Sequence, residues 1–125
     1  MNFPSELKYT KEHEWIRIEG NVGTIGITEH AAGELGDVVY VDVPDANADV
    51  TVGSTFGTIE AVKTVADMYS PVSGKLSSVN DVNGSPEVVN KDPYGDGWLV
   101  KITMTNPDEL ADLLDAEAYK ALIGQ

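Results

Sequence analysis

Cysteine is absent from this 125-residue chain, which excludes disulfides, thiolate catalysis and cysteine-type metal sites. Basic residues are scarce: 8 Lys and Arg stand against 21 Asp and Glu, a formal net charge of −13. Nucleic acids and anionic membrane surfaces both call for clustered cations, so neither is an expected partner. An acidic surface instead favours solubility and docking onto basic surfaces of other proteins. No apolar run reaches membrane-spanning length. The first residues, Met1 to Glu6, have no basic n-region or apolar h-region and are not arginine-rich. A cytoplasmic protein, or the processed mature form of a mitochondrial one, is therefore expected. A monomer is expected.

The usual catalytic residues are sparse as well. The two histidines, His13 and His30, lie apart in sequence, which makes a weak case for a metal site, and none is expected. His13 and Glu14 could form an acid–base pair, but adjacent strand residues point to opposite faces and would not aim at one substrate. No serine sits in a nucleophile elbow, and no glycine-rich phosphate loop follows a strand. A non-catalytic protein is the expectation.

What is present is an ordinary globular composition, 42% apolar and 23% charged, of a length that suits one domain spanning residues 1–125. Trp15–Glu19 and Val22–Ile27 alternate around Gly20-Asn21, which predicts a β-hairpin. Thr28 is placed to cap a short helix from Glu29, ended by Gly33 or Gly36. Residues 37–43 predict a strand, and 56–62 and 65–69 predict two more. A weaker strand follows over 74–82. Ser85 and Pro86 read as N-cap and N1 of a short helix. The run 98–104 predicts a strand with Trp98, Val100, Ile102 and Met104 on one face. The period then changes. Asn106-Pro107 starts a helix with Leu110, Leu113 and Leu114 on one face, and Asp115 caps another that groups Tyr119, Leu122 and Ile123.

Two residues stand out. Lys63 lies between the strands 56–62 and 65–69, at the tip of a predicted tight hairpin. Small residues Ala61 and Thr64 leave room around it, Glu60 and Asp67 are candidate recognition charges on either side, and Pro71 and Gly74 end the second arm. Glu14 falls on the face of Ile16 and Ile18. A carboxylate there either stays solvated at the strand rim or lines a cleft and meets a cation.

The segment Ile59-Glu60-Ala61-Val62-Lys63, followed by Tyr69-Ser70-Pro71-Val72-Ser73-Gly74, resembles the attachment hairpin of lipoyl domains. Further blocks, Tyr9–Trp15, Gly26–Ala31, Leu35–Asp42, Asp92–Leu99 and Leu114–Tyr119, narrow the resemblance to the H proteins of the glycine cleavage system, across nearly the whole chain. That resemblance implies a mainly β fold, a lipoyl-type barrel-sandwich hybrid with short helices, including a C-terminal helical segment. It implies lipoate joined to Lys63 by an amide. The arm would take an aminomethyl group from the pyridoxal-phosphate glycine decarboxylase (P protein) to the folate-dependent aminomethyltransferase (T protein). Dihydrolipoamide dehydrogenase (L protein) would reoxidise it, and a lipoate ligase or lipoyl/octanoyl transferase would install it. The loaded arm is expected to fold into a cleft where Glu14 meets the amine, with Glu12 and Asp67 as further contacts. Ala61 and Thr64 depart from the serine and alanine frequent in the family; both are small, so the substitutions bear on ligase preference more than on attachment.

Three rivals share the hairpin. A biotinyl carrier usually has methionines beside the lysine, where this chain has Val62 and Thr64. A 2-oxoacid dehydrogenase lipoyl domain usually has aspartate before the lysine and a linker after the domain. The last rival is an H-like lipoyl relay that donates lipoate to other enzymes.

Overall fold

The computed structural model describes residues 1–125. The hairpin expected around Gly20-Asn21 forms: β2 (Glu14–Glu19) pairs antiparallel with β3 (Val22–Ile27), with Glu19 opposite Val22. Gly20 has φ 62°, a conformation that glycine reaches without a Cβ penalty. Strand β1 (Lys8–Tyr9) pairs with β2. On the other side come β9 (Val100–Met104), β8 (Gly74–Val79) and β5 (Asp49–Val50). The six-stranded sheet runs β1-β2-β3-β9-β8-β5. A second sheet has three strands, β4 (Val38–Asp42), β6 (Thr55–Ala61) and β7 (Val65–Tyr69), in the order β4-β6-β7.

The two sheets bury one core between them. Ile16, Ile25, Leu76, Val100 and Ile102 from the first meet Val41, Phe56, Ile59 and Met68 from the second. Because successive strand residues face opposite ways, Ile16 enters this core while Trp15 enters a second cluster with Leu7, Tyr9, Ala116 and Tyr119. The C-terminal helix α3 (Ala116–Leu122) covers that outer cluster. The result is an open, mainly β two-sheet sandwich with short helices, the fold class expected.

Several local expectations hold. Helix α1 (Glu29–Leu35) is capped by Thr28, whose Oγ1 accepts the Ala31 N–H at 3.1 Å. It ends at Gly36, φ 76°, and not at Gly33. Asp115 caps α3 by accepting the Ala118 N–H at 2.8 Å.

Others need correction. Trp98 does not share the core face of β9: it precedes the strand, so strand alternation does not reach it, and it packs on the outer cluster. Strand β8 stops at Val79, where the chain turns and Asn80 bonds to the Leu99 and Trp98 carbonyls. Ser85 is not an N-cap. Its carbonyl accepts the Val88 N–H in a turn, and helix α2 (Val88–Lys91) starts later with no side-chain cap. Residues Pro107–Asp112 form a 3-10 helix, and Leu113 after it is extended. Leu110 and Leu113 therefore pack on the main core while Leu114 turns to the outer cluster, where it bridges Tyr9. On α3, Tyr119 and Ile123 face inward with Ala116, but Leu122 is exposed.

Candidate functional site: a hairpin lysine beside an acidic-rimmed cleft

Strands β6 and β7 pair antiparallel with Glu60 opposite Val65. The Ala61 N–H donates to the Thr64 carbonyl at 2.8 Å, which closes a loop of only Val62 and Lys63. The tip is anchored from the side, because the Val62 N–H donates to the Asp37 carbonyl at 3.0 Å. Lys63 is exposed and enters none of the ion pairs. Its stem runs past the end of α1: a Cβ on Gly36 would lie 3.9 Å from Lys63 Cδ. Glu60 and Asp67 are both exposed. Cross-strand pairing puts Glu60 level with Val65 and Asp67 level with Thr58, so the two acids share the outer face of the small sheet.

A cleft of about 150 Å³ opens between β7, α1 and the segment leading into β2. Its walls are apolar, from Ile27, Leu35, Ile59 and Met68 among others. Glu12, Glu14, Glu34 and Asp67 line it with His13. The structure thus brings together three of the carboxylates picked from sequence, Glu12, Glu14 and Asp67; Glu60 lies outside the cleft.

Glu14 is 2% exposed, which decides between the solvated rim and the cleft in favour of the cleft. Its Oε1 accepts the Thr10 hydroxyl at 2.6 Å and its Oε2 accepts the Tyr69 N–H at 3.1 Å. The Tyr69 N–H is free for this because β7 is an edge strand and pairs only with β6. No cation of the chain pairs with Glu14. Burial pushes its carboxyl up to about 7, the two hydrogen bonds oppose that rise, and the Glu12 charge adds to it. A carboxyl so placed is only partly ionised at neutral pH, and a cation entering the cleft would favour its ionised form.

His13 overturns the argument that it and Glu14 face apart. Residues 10–13 form a turn, with the His13 N–H on the Thr10 carbonyl at 3.2 Å, and His13 sits at φ 69°, outside β2. Strand alternation does not apply there, and both side chains line one cleft. The His13 Nδ1 lies 2.8 Å from the Tyr119 hydroxyl, and its ring centroid lies 4.9 Å from that of His30. Burial, and then His30, lower the pKa of His13. Thr10, Glu34 and Tyr119 were not singled out from sequence. Thr10 reaches Glu14 only because the turn folds back, and Tyr119 reads in sequence simply as one apolar position of a short helix. No group of three His, Asp or Glu is placed to hold a metal ion.

Comparison with known proteins adds to this geometry. A family model described as "Glycine cleavage H-protein" matches residues 7–125. A glycine cleavage system H protein of Staphylococcus haemolyticus is 52% identical over 126 residues, covering 100% of both chains. One from Symbiobacterium thermophilum is 53% identical over 121 residues, 96% of this chain and 94% of that protein. The crystal structure of a glycine cleavage system H protein from Mycobacterium marinum superposes with a TM-score of 0.91 at 35% identity, covering 98% of this chain and 100% of the other.

Proposed function

The chain belongs to the glycine cleavage H-protein family, and from that premise we propose that it is a lipoyl carrier, with lipoate amide-linked to Lys63. The observation that carries this reading is an exposed lysine on a closed two-residue tip, beside an apolar cleft whose buried carboxyl has no cationic partner. When bound, lipoate supplies a disulfide able to take up an aminomethyl group derived from glycine and to give it up again. The rest is the work of this chain's residues. The hairpin holds the base of the arm, and acylation removes the Lys63 charge. The apolar walls exclude water from a cargo that water would destroy. Glu14, with Glu12 and Asp67 nearby, supplies negative charge toward an amine cation.

The partners in this reading are the P, T and L proteins and a lipoate ligase or lipoyl/octanoyl transferase, in the cytoplasm. The chain itself acts as a non-catalytic, monomeric carrier. The shared outer face of Glu60 and Asp67 supports a role for both in ligase recognition. Intact mass after co-expression with a lipoate ligase tests the attachment. A lipoyl increment that vanishes in Lys63→Arg is expected; a biotin increment, or none, would sink the proposal. For Glu14→Ala, lipoylation should persist while the loaded form releases formaldehyde and ammonia faster than the parent. An unchanged release rate would remove Glu14 from the protective role.

A further inference from the structure

Tyr119 lies in the C-terminal helix, yet it holds two walls of the cleft at once. Its hydroxyl is 2.8 Å from His13 Nδ1 and 2.8 Å from Thr28 Oγ1. His13 belongs to the turn before β2, and Thr28 caps α1, which brings Ala31, Glu34 and Leu35 to the cleft. The Tyr119 ring is fully buried and stacked on Tyr9, with centroids 4.9 Å apart and planes 10° apart. The hydroxyl is therefore fixed in place by packing that does not depend on the cleft.

We infer that Tyr119 is a positioning residue for the cleft: its hydroxyl sets the His13 ring and the capped start of α1 in one fixed relation. His13 needs such a restraint, because a histidine at φ 69° occupies a sparsely populated backbone region. The partners of Thr28 favour one direction for this run of hydrogen bonds. Thr28 Oγ1 accepts the Ala31 N–H, and its other hydrogen-bond partner is the Tyr119 hydroxyl, whose oxygen is the acceptor open to the Thr28 proton. In that direction the Tyr119 proton goes to His13 Nδ1, 2.8 Å away, and the His13 ring carries its own proton on Nε2. The opposite direction would leave the Thr28 hydroxyl proton with no acceptor among its hydrogen-bond partners. His30 and Glu34 from α1, Glu12 and Glu14 from its own segment, and Asp67 from β7 also face His13 around the cleft. An acceptor role for Nδ1 keeps the ring neutral among them. The consequence for cargo rests on the lipoyl-carrier reading; the geometry does not.

Nitrogen NMR of the histidine rings in the full chain, unmodified at Lys63, tests this directly. In the parent, His13 should show an unprotonated Nδ1 and a protonated Nε2; the other tautomer would overturn the inference. Tyr119→Phe keeps the ring and its stack but removes the hydroxyl, and should raise the His13 titration midpoint by roughly half a unit to one unit. Tyr9→Phe is the control. It loses a hydrogen bond to the Pro4 carbonyl in the same cluster but does not bond to His13, and should leave the midpoint in place. Equal midpoints in the parent and Tyr119→Phe, or equal shifts in both variants, would overturn the inference. In lipoylated, loaded protein, Tyr119→Phe should shorten cargo lifetime several-fold. An unchanged lifetime, in a protein where Glu14→Ala does shorten it, would also overturn the role of Tyr119. Absence of a lipoyl increment would instead count against the carrier reading, and the NMR result on unmodified protein would still decide the inference.

Discussion

Burial makes the Glu14 carboxyl costly to ionise. Folding raises its pKa from 4.5 to about 7, so the folded state holds a proton that the unfolded state has already released across that window. Stability therefore falls as pH rises from about 4.5 to 7, and this contribution is level outside that range. Glu14→Gln removes the charge and keeps the shape. It should flatten that segment of the pH–stability curve and gain up to about 3 kcal/mol at pH 8. Urea midpoints at pH 5 and pH 8 check it: equal gains at both would show that ionisation is not the cause. Alternation along β2 made Glu14 a candidate in sequence, since it lies in phase with Ile16. The same alternation misjudged His13, because one residue in the left-handed region ends the period on which the argument relied.

At the scale of elements, the β6–β7 hairpin was legible from its turn and from the β-rich runs around it. Its anchoring to the end of α1 was not, because the Val62–Asp37 bond joins positions that no local pattern relates. The tip itself bears little structural load: Val62 is 72% exposed. Val62→Ala should change stability by less than about 0.5 kcal/mol. It should still slow enzymatic lipoylation if a ligase reads the tip, and paired denaturation and lipoylation-rate measurements separate the two effects. Helix α3 differs. Its Asp115 cap was legible from sequence, and Asp115→Ala should cost about 1 kcal/mol. Since α3 carries Tyr119, that loss should also loosen the outer cluster, visible as faster amide exchange in residues 116–122 with the central strands unchanged. The failed cap at Ser85 and the 3-10 turn at 107–112 show the limit of such signals. Helices of a turn or two take their start and their period from tertiary contacts more than from propensity.

The whole molecule is strongly acidic, and its formal charge of −13 acts at longer range than any single contact. If the chain is the lipoyl carrier proposed above, its association with the P protein or with a lipoate ligase should therefore be steered by charge. We expect the association rate to fall by roughly tenfold between 20 and 200 mM salt, with a smaller change in the dissociation rate. Stopped-flow measurements across that range check it, and a salt-independent association rate would remove electrostatic steering. No helix is long and apolar enough to cross a membrane.

The sequence by itself determined the mainly β class, the hairpin with Lys63 at its tip, the caps of α1 and α3, and the likeness to H proteins. All of these reside in local periods, turn chemistry and ordered blocks of residues, which a linear string records. Only the tertiary structure decided that Lys63 lies beside a cleft, that Glu12, Glu14 and Asp67 meet there while Glu60 does not, and that His13 joins Glu14 instead of opposing it. It alone tied the C-terminal helix to the cleft through Tyr119. The physical reason is separation along the chain. His13 and Tyr119 are 106 residues apart, and Glu14 and Tyr69 are 55 apart, so no short-range pattern couples them. Packing two sheets around one core brings such residues within hydrogen-bond distance, and the burial that results pushes the Glu14 carboxyl to about 7.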